Sequence, residues 1–207
     1  MRIDDFTYFY PERPRLLHIE QPLFERLSRD PDWVAEPKYN GSRLQLHHLD
    51  GAWFFWNRHQ QLMDYRPSRE IIDALDGLDL KGYWLFDGEL RHHKTRGISH
   101  KIVLYDVFIR EGELLLNAPF QDRRNLLAYV LRPHLLAYGG EPDAPALGMP
   151  CQYYDGWRRV FAEVTRNEEI EGLVLKNRRG RLNLGRTKAA ESSWMWKVRR
   201  PSGRYQF

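Results

Sequence analysis

Glu36-Pro37-Lys38-Tyr39-Asn40-Gly41-Ser42-Arg43 is the stretch on which the reading of this chain turns. Trp33 to Pro37 enters it as a strand. Ser42 to Leu49 leaves it alternating, with Leu44 and Leu46 on one face and Arg43, Gln45 and His47 on the other. Asn40-Gly41 is turn chemistry, and Asp50-Gly51 is a strong hairpin turn from which Ala52 to Trp56 returns as a further strand. The pattern predicts three antiparallel strands around Lys38, a rigid mount of the kind a reactive group needs. A lysine amine has a reference pKa of about 10.4, and it becomes a nucleophile at neutral pH where burial and neighbouring cations lower that value. A lone Lys-x-Asn-Gly is commonly a surface lysine in a hairpin, so the rest of the chain decides.

A chain of 207 residues suits one large domain or one domain with small appendages. Its 7 Trp, 11 Tyr and 10 Phe are enough to fill a sheet-rich core or to stack on bases. Charge is unevenly placed: from Lys176 onward there are ten Lys and Arg against one acid, Glu191. A nearly acid-free basic segment points to phosphates, of a nucleotide or a polynucleotide. The single cysteine, Cys151, excludes an intrachain disulfide framework and a multi-cysteine metal cage. With neither a leader pattern nor a membrane-length apolar run, the expectation is a soluble cytoplasmic protein. His47-His48 and His92-His93 lack zinc-type partners and read as surface histidines.

Further along, helices are predicted over Pro22 to Ser28, Pro67 to Leu75, Asp122 to Leu136 (ended or kinked at Pro133) and Gly156 to Glu169. Strands are predicted over Tyr83 to Phe86, Lys101 to Ile109, Glu113 to Leu116, Gly172 to Lys176 and Ser193 to Val198. His92 to His100 and Gly139 to Pro150 read as loops. Arg58 ends the third strand, and Asp87-Gly88-Glu89 sets carboxylates at a strand end. Glu171 opens a buried strand, while Lys197 and Arg199 share one strand face.

In order and spacing this set resembles the covalent nucleotidyltransferases: ATP-dependent DNA ligases, RNA ligases and mRNA capping enzymes. Lys38-Tyr39-Asn40-Gly41 is similar to the family's Lys-x-Asp-Gly motif, and Arg58 to the arginine that follows it. Asp87-Gly88-Glu89, Leu104-Tyr105-Asp106-Val107-Phe108, Glu171-Gly172-Leu173-Val174-Leu175-Lys176 and Trp196-Lys197-Val198-Arg199 resemble its later motifs. The run from Gly112-Glu113 through Pro119 to Leu127 is similar to what DNA ligases carry there. The resemblance implies an α+β, ATP-grasp-like fold: two antiparallel sheets flanked by helices, with the nucleotide in the cleft between them. It implies an adenylation domain over residues 33–200, an N-terminal segment 1–32 packed on or bordering it and a tail 201–207; relatives normally continue into an OB-fold domain, and none is expected here.

The resemblance further implies that Lys38 attacks the α-phosphate of ATP, expels pyrophosphate and becomes a lysyl-adenylate. Lys197 would be the catalytic cation at that phosphate, offsetting the charge that builds there. Nucleotide contacts are expected from Glu36, Pro37, Arg43, Arg58, Glu89, Lys176 and Arg199, with Tyr105 stacked on the base. Mg²⁺, or Mn²⁺, is expected on Glu171 and Glu89, since hard cations take oxygen ligands. AMP would pass to a 5′-phosphate, and a 3′-hydroxyl would then displace it, on DNA ahead of RNA and on a nicked duplex. A partner protein is one candidate for the absent OB clamp. Three features depart from the family: Asn40 stands in place of aspartate, Arg199 where many relatives carry lysine, and the expected OB-fold domain is absent. The alternatives are a capping-type guanylyltransferase and a catalytically impaired nucleic-acid-binding relative.

Overall fold

The computed structural model describes residues 6–91, 100–137, 146–185 and 187–201. A short strand β1 (Arg13–Leu16) leads into helix α1 (Pro22–Ser28), where proline at the first position loses no helical hydrogen bond. β2 (Trp33–Tyr39) carries Lys38, and β3 (Ser42–Leu49) and β4 (Ala52–Asn57) follow. Asp50 and Gly51 join the latter two at φ of 51° and 77°, the left-handed pair that a tight hairpin turn requires. Ser68 caps α2 (Arg69–Asp76) by accepting the Ile71 N–H, so the helix starts after Pro67 rather than at it.

β5 (Trp84–Arg91), β6 (Lys101–Arg110) and β7 (Glu113–Leu114) precede α3 (Phe120–Ala137), β8 (Leu147–Gly148) and α4 (Trp157–Val164). The chain closes its described part with β9 (Ile170–Asn177) and β10 (Glu191–Arg199). Pro133 lies inside α3 and does not end it. The proline leaves the carbonyl four residues back, on Tyr129, without its helical donor, and that residue is 72% exposed. α4 stops five residues before Glu169. Thr165 Oγ1 donates to the Phe161 carbonyl, and Asn167 takes the N–H of Glu169, so turns replace the last helical turn.

The strands form two sheets. One has the order β1-β10-β9-β2; the other runs β4-β3-β5-β6-β7, with β8 also on β6. Pairing is antiparallel except for β1 with β10 and β6 with β8. The three strands expected around Lys38 are therefore not one unit. β2 belongs to the first sheet and β3 and β4 to the second, so Lys38 sits at the corner where the chain passes from one sheet to the other. Gly41 is needed at this corner for closeness rather than for a turn. A Cβ there would fall 2.6 Å from Glu89 Cγ and 2.7 Å from the Leu90 carbonyl.

Each sheet buries its outer face. Leu44, Leu46, Phe86, Ile102 and Leu104 pack with Ile71 and Leu75 of α2 and Leu127 and Leu131 of α3. Ala35, Leu173, Leu175 and Val198 pack with Phe24 of α1 and Trp157 and Val160 of α4. The inner faces are left to line a cleft. His47 and His48 are not surface residues: both are buried. His47 lies among Phe6, Trp56 and Tyr83, with Nδ1 2.9 Å from the Tyr83 hydroxyl, because its place on β3 faces the packed N-terminal segment. His92 and His93 lie outside the described residues.

Candidate active site

Strand register assembles one wall of the cleft. Across β2, β9 and β10 three rows run Val34–Lys176–Met195, Glu36–Val174–Lys197 and Lys38–Gly172–Arg199. Partners in a row share a face, so Lys38, Lys176, Lys197 and Arg199 all project inward while the intervening residues enter the core. Pro37 interrupts β2 without breaking the sheet because β2 is an edge strand.

At the head of this wall Lys38 Nζ lies 2.6 Å from Glu171 Oε2, and Arg199 Nε is 3.3 Å from the same oxygen. A carboxylate thus stands beside the lysine although Asn40 is not one. Asn40 instead ties down the corner: its N–H donates to the Glu169 carbonyl at 2.8 Å. Arg91 pairs with the Glu169 carboxylate and lies 4.8 Å from the centre of the Tyr39 ring. Burial lowers the pKa of Lys197, and the charges of Arg199, Lys38 and Arg13 lower it further.

Lys176 is held away from the lysine. It is buried and 2.6 Å from Glu36, which also meets Arg124 at 3.4 Å and accepts from Gln152 Nε2 at 3.0 Å. The Lys176 ammonium sits 4.5 Å from the Phe120 ring centre and 5.7 Å from that of Tyr105. The pair is the floor of the cleft.

The opposite wall comes from the other sheet. Arg43 grips Asp87 through one guanidinium edge, Nε and Nη2 each donating to one carboxylate oxygen, and Glu89 is its register partner on β5. Asp87 and Glu89 lie within β5, which runs on to Arg91 rather than ending at Phe86. Burial pushes Glu89 up to about 7 against the opposing pull of Arg43 and Lys38. Tyr105 lines the same wall, and its hydroxyl is raised well above the usual value by burial. Arg58 falls just past β4, exposed at the rim, where Nε donates to His59 Nε2 at 3.2 Å.

Together these residues enclose a cavity of about 440 Å³. All ten predicted site residues other than Glu171 line it, and Glu171 reaches it through Lys38 and Arg199. The sequence reading missed the far end, built by Tyr8, Tyr10 and Arg13 from the N-terminal segment and by Leu182 and Leu184 before β10. Tyr10 and Gly185 exchange backbone hydrogen bonds of 2.8 and 2.9 Å there. Aromatic and arginine content near the N-terminus was the one available signal. It carried no position. Among the described residues no group of three or more His, Cys, Asp or Glu side chains is gathered as a metal site.

Comparison with solved structures decides the fold. The structure of mycobacterial DNA ligase D complexed with ATP and MES superposes with a TM-score of 0.64 at 21% identity, over 94% of this chain and 61% of that one. This is the ligase nucleotidyltransferase fold. The α+β architecture with its two sheets and flanking helices is thereby established for the chain, in line with the resemblance in its motifs. The ATP-dependent DNA ligase of bacteriophage T7, in complex with ATP, has the same nucleotidyltransferase fold at a TM-score of 0.60 and 16% identity, over 91% of this chain and 68% of that one. By sequence, the SPbeta prophage-derived DNA ligase-like protein LigB of Bacillus subtilis is 23% identical over 176 residues. That match takes in 79% of this chain and 59% of LigB, so the chain spans about six-tenths of this curated relative. No protein-family model matches the sequence.

Proposed function

We propose that this chain is the adenylating module of an ATP-dependent polynucleotide ligase, with DNA as its substrate. The observation that carries the reading is the cluster of Lys38, Glu171 and Arg199 at the cleft corner, with Lys197 one row away on the same face. Glu171 is placed to hold the Lys38 amine toward the cleft and to accept its proton. The Lys38 Nζ–phosphorus bond forms as the bond from the α-phosphorus to the bridging oxygen breaks. The electron pair leaves with pyrophosphate, and the ammonium gives up two protons in all. Lys197 and Arg199 offset the negative charge on the phosphoryl oxygens, and preorganised cations are worth most in such a partly enclosed site. Tyr105 offers a face to the base, Arg43 and Glu89 approach the sugar, and the Glu36–Lys176 pair closes the floor.

The residues fit a magnesium ion only as a shared ligand. Glu171 already faces two cations, and burial, by raising Glu89 to about 7, leaves it only partly ionised at neutral pH, so phosphate oxygens would complete the shell around the carboxylates. When bound, the ion supplies Lewis-acid charge at the triphosphate. The later partners follow from the same chemistry: a 5′-phosphate takes AMP, and a neighbouring 3′-hydroxyl displaces it at a nick.

Covalent labelling tests the reading. Protein stripped of nucleotide and given α-labelled ATP with Mg²⁺ should take an acid-labile, alkali-stable label, and Lys38→Ala should take none. Label from GTP alone moves the reading to a capping-type enzyme. Label retained by Lys38→Ala refutes the nucleophile, and no label on the unaltered protein refutes the activity.

A further inference from the structure

Most cations in the cleft have a carboxylate partner. Lys38 and Arg199 share Glu171, Lys176 has Glu36, and Arg43 has Asp87. Among the described residues three others make no ion pair: Arg58, which turns to His59 at the rim, and, apart from it, Lys197 and Arg13. Both line the same cavity wall, and the charge of Arg13 reaches Lys197. Glu191, the register partner of Arg13, offsets part of that charge at Lys197, and the two cations still repel each other unless an anion comes between them.

Their place in the sheet says which end of the cleft this is. The strand order β2-β9-β10-β1 puts Arg13 on the edge opposite Lys38, with Lys197 between. At about 4.8 Å per strand, β2 and β1 lie about 14 Å apart, and Arg13, level with Glu191, is also displaced along the strands from the rows of Lys197 and Lys38, so its long side chain covers the far end of the cleft. The backbone of Arg13 is fixed by its N–H, which donates to the Ala190 carbonyl at 2.8 Å, while its side chain is exposed in the cleft. In-line displacement at phosphorus requires the leaving group to depart opposite the nucleophile. With the α-phosphate between Lys38 and Lys197, the leaving pyrophosphate points along the sheet toward β1.

We propose that Arg13 and Lys197 form a second phosphate subsite, in which Arg13 holds the β- and γ-phosphates of the triphosphate and then the departing pyrophosphate. The subsite rests on the ligase reading for its place in the reaction. It predicts that Arg13 acts on the triphosphate tail and leaves the nucleoside alone. As the α-phosphorus–oxygen bond breaks and its electron pair moves onto pyrophosphate, the guanidinium stabilises that charge. No proton moves from arginine.

The test compares the unaltered protein, Arg13→Ala and Arg13→Lys, with thermal unfolding as a check on the fold. Equilibrium binding of ATP and of AMP is the first readout, and it does not depend on turnover. Arg13→Ala should weaken ATP binding about tenfold or more, the usual worth of a charge-assisted contact, and leave AMP binding unchanged. Arg13→Lys should recover part of the loss. In the labelled protein, the pyrophosphate concentration that half-reverses the lysyl-adenylate should rise by a similar factor. If instead only binding of a 5′-phosphorylated nicked duplex by the adenylated protein weakens, the phosphate belongs to the strand and the triphosphate assignment is overturned. Equal ATP binding by all three proteins removes the subsite altogether. Absence of label on the unaltered protein speaks against the ligase reading alone, since the difference between ATP and AMP still reads the subsite.

Discussion

Gly172→Ala is the perturbation that reaches the reaction without touching a charged group. Gly172 stands in the row between Lys38 and Arg199 at a φ of 152°. A Cβ there would fall 1.9 Å from the Val198 carbonyl oxygen and 3.0 Å from the α-carbon of Arg199. Side chains do not tolerate backbone oxygens that close, so β9 and β10 must separate by about 1 Å, and overpacking of this kind costs about 1–3 kcal/mol. The displacement falls on the strand that carries Lys197 and Arg199, while Lys38 stays with β2. A misplacement of about 1 Å among reacting groups can cost about a hundredfold in rate. Single-turnover labelling of Gly172→Ala at saturating ATP should therefore slow by roughly two orders of magnitude, with a lowered but still cooperative unfolding transition. A folded Gly172→Ala protein that labels at the rate of the unaltered one would refute the claim that this ladder positions the cations.

Two other predictions concern stability. Burial pushes the His47 imidazole down from 6.5 to about 3. Between those pH values the unfolded chain carries a proton that the folded one refuses, so stability is complete above pH 6.5 and falls as pH drops toward 3. At about 1.4 kcal/mol per unit the loss is at most about 5 kcal/mol, and denaturant midpoints at pH 7.5 and 4.5 should show it shrinking in His47→Phe. Arg123 holds Asp106 through two contacts of 2.8 Å in the interior and also donates to the Ala118 carbonyl. Arg123→Ala leaves that carboxylate buried and unpaired and should cost about 3–5 kcal/mol in chemical denaturation, with Arg123→Ala/Asp106→Ala costing less than the sum of the two single changes.

Local pattern made much of this molecule legible. Alternation and turn chemistry gave β3 and β4, and the rule that strand neighbours two apart share a face put Lys197 and Arg199 on one side. The same rule could not say which strands pair. Asn40-Gly41 looks like a hairpin turn from its residues, yet β2 pairs with β9, over 130 positions away in Glu171's contact with Lys38, and the turn becomes a corner between sheets. The clasp of Arg91 on Glu169 and the mouth built from Tyr8, Tyr10 and Arg13 are likewise products of tertiary arrangement. Their residues carry no periodicity or spacing of their own. His47 went astray for a related reason: a polar residue on an alternating strand reads as solvent-facing until another segment covers it.

The corner at Lys38 also sets the mechanics of the cleft. If the angle between the sheets changes, each group moves in proportion to its distance from the line where the chain crosses over. Lys38 lies on that line, and Arg13, on the opposite edge strand, lies farthest from it. The amine is a fulcrum and the arginine the end of the lever. On the proposed reading, opening the cleft by a few degrees would move Arg13 more than Lys38 and Glu171, and so would bear on the departing pyrophosphate more than on the attacking nitrogen.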